Sequence, residues 1–387
     1  MLARRLTPLR VAALILGALA LVPAARAGAP PPLSNPTYGF PLPGDYAAAA
    51  NAASAGLALS DRWLGESAYE NPAASVRSGV EISPLFQRVN RQDLAAKNRD
   101  VDQTFGYPDA AGGALSLPGK HWGLVLYAWQ PVLRLEQLGY LAGPLVTPAA
   151  IQQQALQREV RGGLAISRDA GAVRVGVSGE WVHRDDSYET HEQSGSPSAG
   201  DRVLEFKGDA WGGAAGVTWA KDPDRPWGSW FGAAIRYGSE LKVTGSVDQR
   251  LLDTTGVAPV AATRDAEWSG GVSARVTVAP ATRVLLGITG RSGADWGGFD
   301  FGTSGGVSWS AGLDWKDPEL PWGARFGVGQ EANQGAIEKK AGLLSVGFTW
   351  VSGDLALDIG LLHRNLARDG SPSSADDRLV GSVKLAF

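Results

Sequence analysis

Cysteine is absent from all 387 residues, which excludes disulfides and thiolate chemistry. An exported chain of this size then needs another source of rigidity, such as an extended hydrogen-bonded sheet. Histidine is scarce: His121, His183, His191 and His363 are the whole set. No H-E-x-x-H, no paired metal spacing and no G-x-S-x-G elbow occurs, so no catalytic residue, metal site or cofactor is expected. The formal charge is only −3, which leaves no electrostatic footprint for nucleic acid. Beyond the first residues no run of about 18 apolar residues occurs, so no helical membrane span is expected.

What is present starts with an export signal. "MLARRLTPLR" is a basic leader, residues 11–22 are apolar, and Ala25-Arg26-Ala27 offers a cleavage site. Residues 1–27 therefore read as a Sec-type signal peptide. Glycine is abundant at 51 residues, and there are 14 tryptophans. That combination suits a curved sheet with aromatic anchors at two interfaces.

Period-two alternation recurs along the chain. Val173, Val175, Val177 and Trp181 alternate with Arg174, Ser178 and Glu180. Val284, Leu286 and Ile288 alternate with Arg283, Thr289 and Arg291, and Leu355, Leu357, Ile359 and Leu361 with Asp358 and Arg364. The last residues behave alike: Leu379, Gly381, Val383, Leu385 and Phe387 share one parity, Arg378, Ser382 and Lys384 the other. A soluble sandwich and a membrane barrel both alternate in this way. Three features favour the barrel. Short connections (168–171, 279–282, 351–354) alternate with long ones (132–157, 187–203, 248–263, 366–377). Trp122, Trp219, Trp227, Trp315, Trp322 and Trp350 lie beside the short ones, as an interfacial girdle requires. The chain also ends on an apolar-parity Phe387, which resembles the signal read by the outer-membrane barrel assembly machinery. The expected fold is an all-β, transmembrane antiparallel barrel of about fourteen strands over residues 76–387, in contact with outer-membrane lipid and lipopolysaccharide.

Residues 28–75 do not read as wall strands. They hold a Pro-rich leader and an Ala-rich stretch that predicts a helix from Asp45 to near Leu59. Such a segment either fills the lumen as a plug or extends into the periplasm. "AASAGLALSDRWLGESAYENPAAS", ending in Asn71, Pro72 and Ala73, resembles the hatch of the FadL family of outer-membrane transporters of long-chain fatty acids and other hydrophobic compounds. "GDAWGGAAGVTWAKDPDRPWGSWFGAAIRYGSELKVTGSV" and "TRVLLGITGRSGADWGGFDF" are similar to later segments of that family, in the same order. The resemblance implies a fourteen-stranded barrel with an N-terminal plug. It also implies ligand capture at outer loops, transfer to a site beside the plug, and sideways exit through the third strand.

Three further regions bear on function. Residues 131–157 read as the longest outer connection and are unusually apolar. Leu133, Leu135, Leu138, Tyr140, Leu141 and Leu145 either pack on themselves over the barrel mouth or form a groove that collects a hydrophobic ligand. "HRDDSYETHEQ" (183–193) reads as a solvated outer loop rather than a cation site. The third strand, "GKHWGLVLYAWQP", stops at Pro131, which cannot donate to the ladder. That position is either an ordinary strand end or a lateral opening lined by Tyr127, Trp129 and Pro131. The functional expectation is plug-gated uptake of hydrophobic small molecules such as long-chain fatty acids by a non-enzymatic, monomeric channel. A scaffold for protein export or surface attachment, and a general porin, are the alternatives.

Overall fold

The computed structural model describes residues 65–74, 80–92, 102–106, 110–142, 149–192, 200–221, 228–251, 255–297, 302–303, 305–317, 319–332, 338–368 and 371–387. The expected signal peptide, the Pro-rich leader, the expected helix from Asp45, Leu145 and Trp227 lie outside these residues.

Among the described residues the first element is a 3-10 turn, η1 (Gly65–Tyr69), and the remaining elements are strands. These are β1 (Glu81–Gln92), β2 (Asp102–Gly106), β3 (Ala110–Pro118), β4 (Trp122–Ala142), β5 (Ala149–Ala170), β6 (Val173–Glu192) and β7 (Gly200–Ala220). Next come β8 (Trp230–Gly238), β9 (Leu241–Leu251), β10 (Thr255–Arg264), β11 (Glu267–Ala279), β12 (Thr282–Arg291) and β13 (Ala294–Gly297). The series ends with β14 (Gly302–Thr303), β15 (Gly306–Lys316), β16 (Trp322–Ala332), β17 (Glu338–Ser352), β18 (Leu355–Arg368) and β19 (Ser371–Ala386). Five of the nineteen segments continue the preceding one along the same wall strand: β3, β9, β11, β13 and β15. The wall therefore has fourteen antiparallel strands. It closes where β1 pairs with β19, from Glu81 opposite Ala386 to Gln92 opposite Ala375. Phe387 extends the closing seam by exchanging backbone hydrogen bonds with Val80 at 2.9 and 3.1 Å.

The two faces of the wall differ as a bilayer demands. Val175, Val177, Ile235, Val272, Leu286, Ile288, Leu313 and Leu385 point outward and are exposed, and Phe387 is 76% exposed. Their neighbours along the strand, on the other parity, are mostly charged, hydroxyl-bearing or small and turn inward, buried or half-buried. Tryptophans mark both edges of the apolar band. Trp122, Trp219, Trp315, Trp322 and Trp350 sit on the outward face at the end with the short turns. There Trp315 packs on Trp322 at 4.9 Å and Trp219 on Phe231 at 5.3 Å. At the other edge Trp181 stands opposite Trp211, and Tyr237 packs on Trp268 at 4.6 Å. From Trp219 to Trp211 the strand rises about 27 Å, or roughly 20 Å along the normal after tilt, which suits a thin outer membrane.

The short connections are tight turns, as expected. The turn joining β5 to β6 carries Gly171 at φ 70°, and that joining β17 to β18 carries Gly353 at φ 58°, where a side chain would be strained.

The long outer connections are much shorter than the sequence suggests. Residues 132–142 are not loop: β4 continues to Ala142 and pairs with β5 from Val132 opposite Glu159 to Ala142 opposite Ala149. Leu133, Leu135, Leu138, Tyr140 and Leu141 are therefore ladder residues. Likewise 187–192 belong to β6 and pair with β7, so "HRDDSYETHEQ" is mostly strand. The reason is physical. Alternation reports a wall with lipid on one side, and it fades where the strand leaves the bilayer, but the backbone ladder does not need it. The segments β4 to β7 run 21, 22, 20 and 21 residues, about twice what a bilayer crossing takes. This side of the barrel stands above the membrane, with Arg158, Asp185, Glu205, Lys207 and Asp209 on its outer surface.

The lipid boundary can be tested by placing charge on either side of the Trp181–Trp211 row. Val177→Arg, midway between the girdles, is expected to cost about 2–4 kcal/mol. Glu205→Lys, well above the upper row, is expected to cost under about 1 kcal/mol. Denaturant midpoints of vesicle-folded protein measure both.

Candidate functional site

The lumen is where the structure concentrates its chemistry. Tyr69 packs among the inward side chains Ala114, Val125, Tyr127, Trp129, Ala165 and Val380. Its ring meets Tyr127 edge-on at 5.8 Å, and the Arg236 guanidinium lies 4.4 Å above it. The contacts come from β3, β4, β5, β8 and β19, so the turn after η1 is inside the barrel.

Asn71, Pro72 and Ala73 then dock on the wall. The Asn71 side-chain oxygen accepts from the Ala73 N–H at 3.0 Å, an Asx-type turn. Its amide donates to the Val217 carbonyl on β7 at 3.3 Å. Two wall glycines permit the approach: a Cβ on Gly176 would strike the Pro72 carbonyl, and one on Gly216 would strike the Asn71 side-chain oxygen. Asn71 is fully buried.

A first ion-pair network lies beside Tyr69. Glu180 accepts from Arg161 at 2.9 Å, from Arg236 at 2.5 Å and from the Tyr127 hydroxyl at 3.3 Å. Glu159 accepts from Arg161 at 2.9 Å and Arg264 at 3.0 Å, with Arg184 at 3.6 Å. Arg184 also pairs with Asp186 at 2.7 Å. A second network lies toward the short-turn end. Asp314 is approached by Arg283 at 2.5 Å, Arg325 at 3.5 Å and Arg275 at 3.8 Å. Asp358 takes Lys384 at 2.6 Å, Arg325 at 3.2 Å and the Thr349 hydroxyl. Elsewhere Arg364 pairs with Glu331 at 2.6 Å, and Arg174 with Asp169 at 2.7 Å. Glu159, Arg184, Arg275 and Arg364 have almost no solvent contact. Among the described residues, these groups are closed off from solvent.

The interior parity of Arg174, Glu180, Arg236, Arg275, Arg283, Asp314, Arg325, Asp358, Arg364 and Lys384 is legible in the alternation. Arg184 and Asp186 are not obvious, because they lie in the segment that reads as a solvated loop. A signal exists all the same: they continue the even-numbered parity of Arg174 and Glu180.

Of the candidates for a side opening, Tyr127 and Trp129 point inward and are buried. Pro131 sits in a bulge, because the β4–β5 register jumps from Trp129 opposite Arg161 to Val132 opposite Glu159. On the other edge of β4, pairing runs to Trp129 opposite Gly112 and resumes at Leu135 opposite Gly106. Between them, residues 107–109 lie outside the described residues. Three of the four histidines stand directly across a ladder from an aspartate and bond to it: His183 to Asp209 at 2.9 Å, His363 to Asp377 at 2.6 Å, and His191 to Asp201. No described group of three or more His, Asp or Glu side chains is arranged to hold a metal.

No family model and no curated protein matches the sequence. The fold has clear counterparts among solved structures. A FadL homologue from Pseudomonas aeruginosa superimposes with TM-score 0.61 over 88% of this chain and 98% of that one, at 12% identity. The toluene transporter TodX of Pseudomonas putida does so with TM-score 0.60 over 90% and 100%, at 13% identity. A TodX mutant described as a monoaromatic hydrocarbon channel gives 0.55 at 14% identity.

Removing one member of a buried ion pair leaves an uncompensated charge. Glu180→Gln, which takes the carboxylate from Arg236 and leaves Arg161 only Glu159, is expected to lower stability by about 3–5 kcal/mol. Heat-modified gel mobility against denaturant reads this out. Asp185→Asn, on the exposed outer surface, should leave the midpoint within about 0.5 kcal/mol.

These comparisons place the chain in the barrel fold shared by the FadL homologue and TodX.

Proposed function

We propose that the protein is an outer-membrane channel for hydrophobic small molecules, belonging with the FadL-type transporters. One observation carries the reading. The inward charges are buried and paired, and the Asn71-Pro72-Ala73 turn is docked among them, whereas a water-filled porin hydrates its lumenal charges. The fold of the FadL homologue and of TodX supports it.

In this reading residues 28–75 follow a Sec-dependent signal peptide, and the part from residue 45 onward plugs the lumen. Ligand is collected at the tall side of the wall, where Leu133, Leu135, Leu138, Tyr140 and Leu141 lie on β4 and Leu145 follows it. It passes the plug by diffusion. It leaves sideways beside Tyr127, Trp129 and Pro131, where the β4 bulge weakens the ladder. A backbone group unpaired against lipid costs several kcal/mol, so a gap there persists only if it is covered or used. Sideways exit also spares a hydrophobic molecule from crossing water. Long-chain fatty acids are one substrate class, and monoaromatic hydrocarbons, carried by TodX, another. The channel works as a monomer without enzymatic activity, sits among outer-membrane lipid and lipopolysaccharide, and is assembled through recognition of Phe387.

Delipidated protein titrated with a labelled fatty acid and with toluene tests the reading directly: saturable binding of either is expected, and binding of neither refutes it. Two variants test the route. Deleting residues 28–70 should raise single-channel conductance in planar bilayers at least severalfold, and no change would place the segment outside the lumen. Disulfide cross-links between introduced cysteines on β4 and β5 near residues 129–132 should block uptake while outer-surface binding survives. Unimpaired uptake by the cross-linked barrel would remove the side exit.

A further inference from the structure

Charges at the two rims of the apolar band are arranged differently. Above the upper aromatic row they answer one another. Arg158 lies 3.9 Å from Asp185, and His183 bonds Asp209 at 2.9 Å. Lys207 stands opposite Asp185, and Lys242 opposite Asp209. At the short-turn end, the exposed cations Lys120 and Arg168 have no ion-pair or hydrogen-bond partner among the described residues.

The register shows where these two cations sit. Leu164, Ile166 and Arg168 share the outward parity of β5, and the first two are exposed on the lipid face. Arg168 stands opposite Trp122 on β4 and Val175 on β6, both exposed on that same face. Asp169, next in the chain, turns the other way and pairs with Arg174 at 2.7 Å. A guanidinium at the foot of an apolar column lays its stem on apolar neighbours and extends its head to the membrane–water boundary. The β3–β4 turn brings Lys120 to the same place. The Gly119 N–H donates to the Trp122 carbonyl at 2.7 Å, which closes a turn with Lys120 and His121 at its corners. The Asp169 N–H donates to the His121 carbonyl at 2.8 Å and ties that turn to the end of β5. A Cβ on Gly119 would strike the Trp122 indole, so the turn lies against the ring. Half-way round the fourteen-stranded wall, the same rim is acidic: the β15–β16 turn carries Asp317 and Glu319, and the β17–β18 turn carries Asp354.

We propose that Arg168, Lys120 and Trp122 form a binding site for an anionic glycerophospholipid of the inner leaflet, whatever the channel carries through its lumen. The short turns of an outer-membrane barrel face the periplasm, so this rim meets the headgroups of that leaflet. The two cations take the phosphodiester, Arg168 through paired N–H donors. The indole packs at the glycerol level, and Ile166 and Val175 meet the acyl chains. A zwitterionic headgroup brings its own ammonium to its phosphate and gains less from the same cations. The acidic turns across the barrel repel an anionic lipid, which limits the site to one sector of the rim.

Native mass spectrometry of the full chain tests this, with phosphatidylglycerol and phosphatidylethanolamine of matched acyl chains as the probes. Wild type should hold phosphatidylglycerol at least about fivefold more tightly than phosphatidylethanolamine. Lys120→Gln combined with Arg168→Gln should remove that preference while phosphatidylethanolamine binding stays unchanged. Lys120→Gln alone, on an exposed turn, should lower the preference about twofold or more. Arg158→Gln combined with Lys207→Gln, on the outer rim, should leave it intact. Heat-modified mobility verifies folding of each variant. No preference in wild type, or an unchanged preference in the Lys120 and Arg168 variants, overturns the proposal. Loss of the preference in the Arg158 and Lys207 variant alone also overturns it and assigns the anionic lipid to the outer rim.

Discussion

Backbone hydrogen bonding in lipid is the constraint on which everything else depends. A bilayer offers no partner for a peptide N–H or carbonyl, so a sheet inside it must close on itself. Here closure is the β1–β19 seam, continued to the last residue by the exchange between Val80 and Phe387. A closed wall has one face toward lipid and one toward the lumen, and period two then sends Val177, Ile288 and Leu385 one way and Glu180, Arg283 and Lys384 the other.

The lumen inherits the consequence. Turning polar parity inward gathers charges from almost every strand into a narrow space. A wide aqueous channel would hydrate them. This lumen is packed, so they neutralise one another through Glu159, Glu180, Asp314 and Asp358, each shared by two or more cations. Such networks do not by themselves maximise stability, because desolvation offsets much of the attraction. What they do here is occlude. Tyr69 and the Asn71 turn lie among them, and the described side chains there leave these charges little contact with solvent.

The tall side of the wall is a second consequence of the ladder. Once four long segments are hydrogen-bonded, β4 to β7, nothing obliges them to stop at the membrane surface. Above the Trp181–Trp211 row their outer face becomes charged, and on their inner face Val182 and Phe206 join Leu241 of β9 in a buried apolar cluster.

Much of this architecture is legible in the amino-acid sequence. The alternation of residues such as Val173 to Trp181 and Leu379 to Phe387 marks the wall strands and separates their two faces, because a side-chain period of two is local; the short and long connections, the tryptophans and the terminal Phe387 then assign the apolar face to lipid. The tryptophans beside the short turns locate one membrane edge for the same reason. The Asn71-Pro72 pair declares a turn through local side-chain chemistry. Where the environment ceases to be one-sided, the pattern loses its meaning, and residues 132–142 and 187–192 read as loops although they are ladder. Only the tertiary structure decides which charges meet and that Gly176 and Gly216 make room for the turn. Those contacts join residues from strands far apart in the chain, and their register is set by closure of the whole barrel, which no local stretch of sequence encodes.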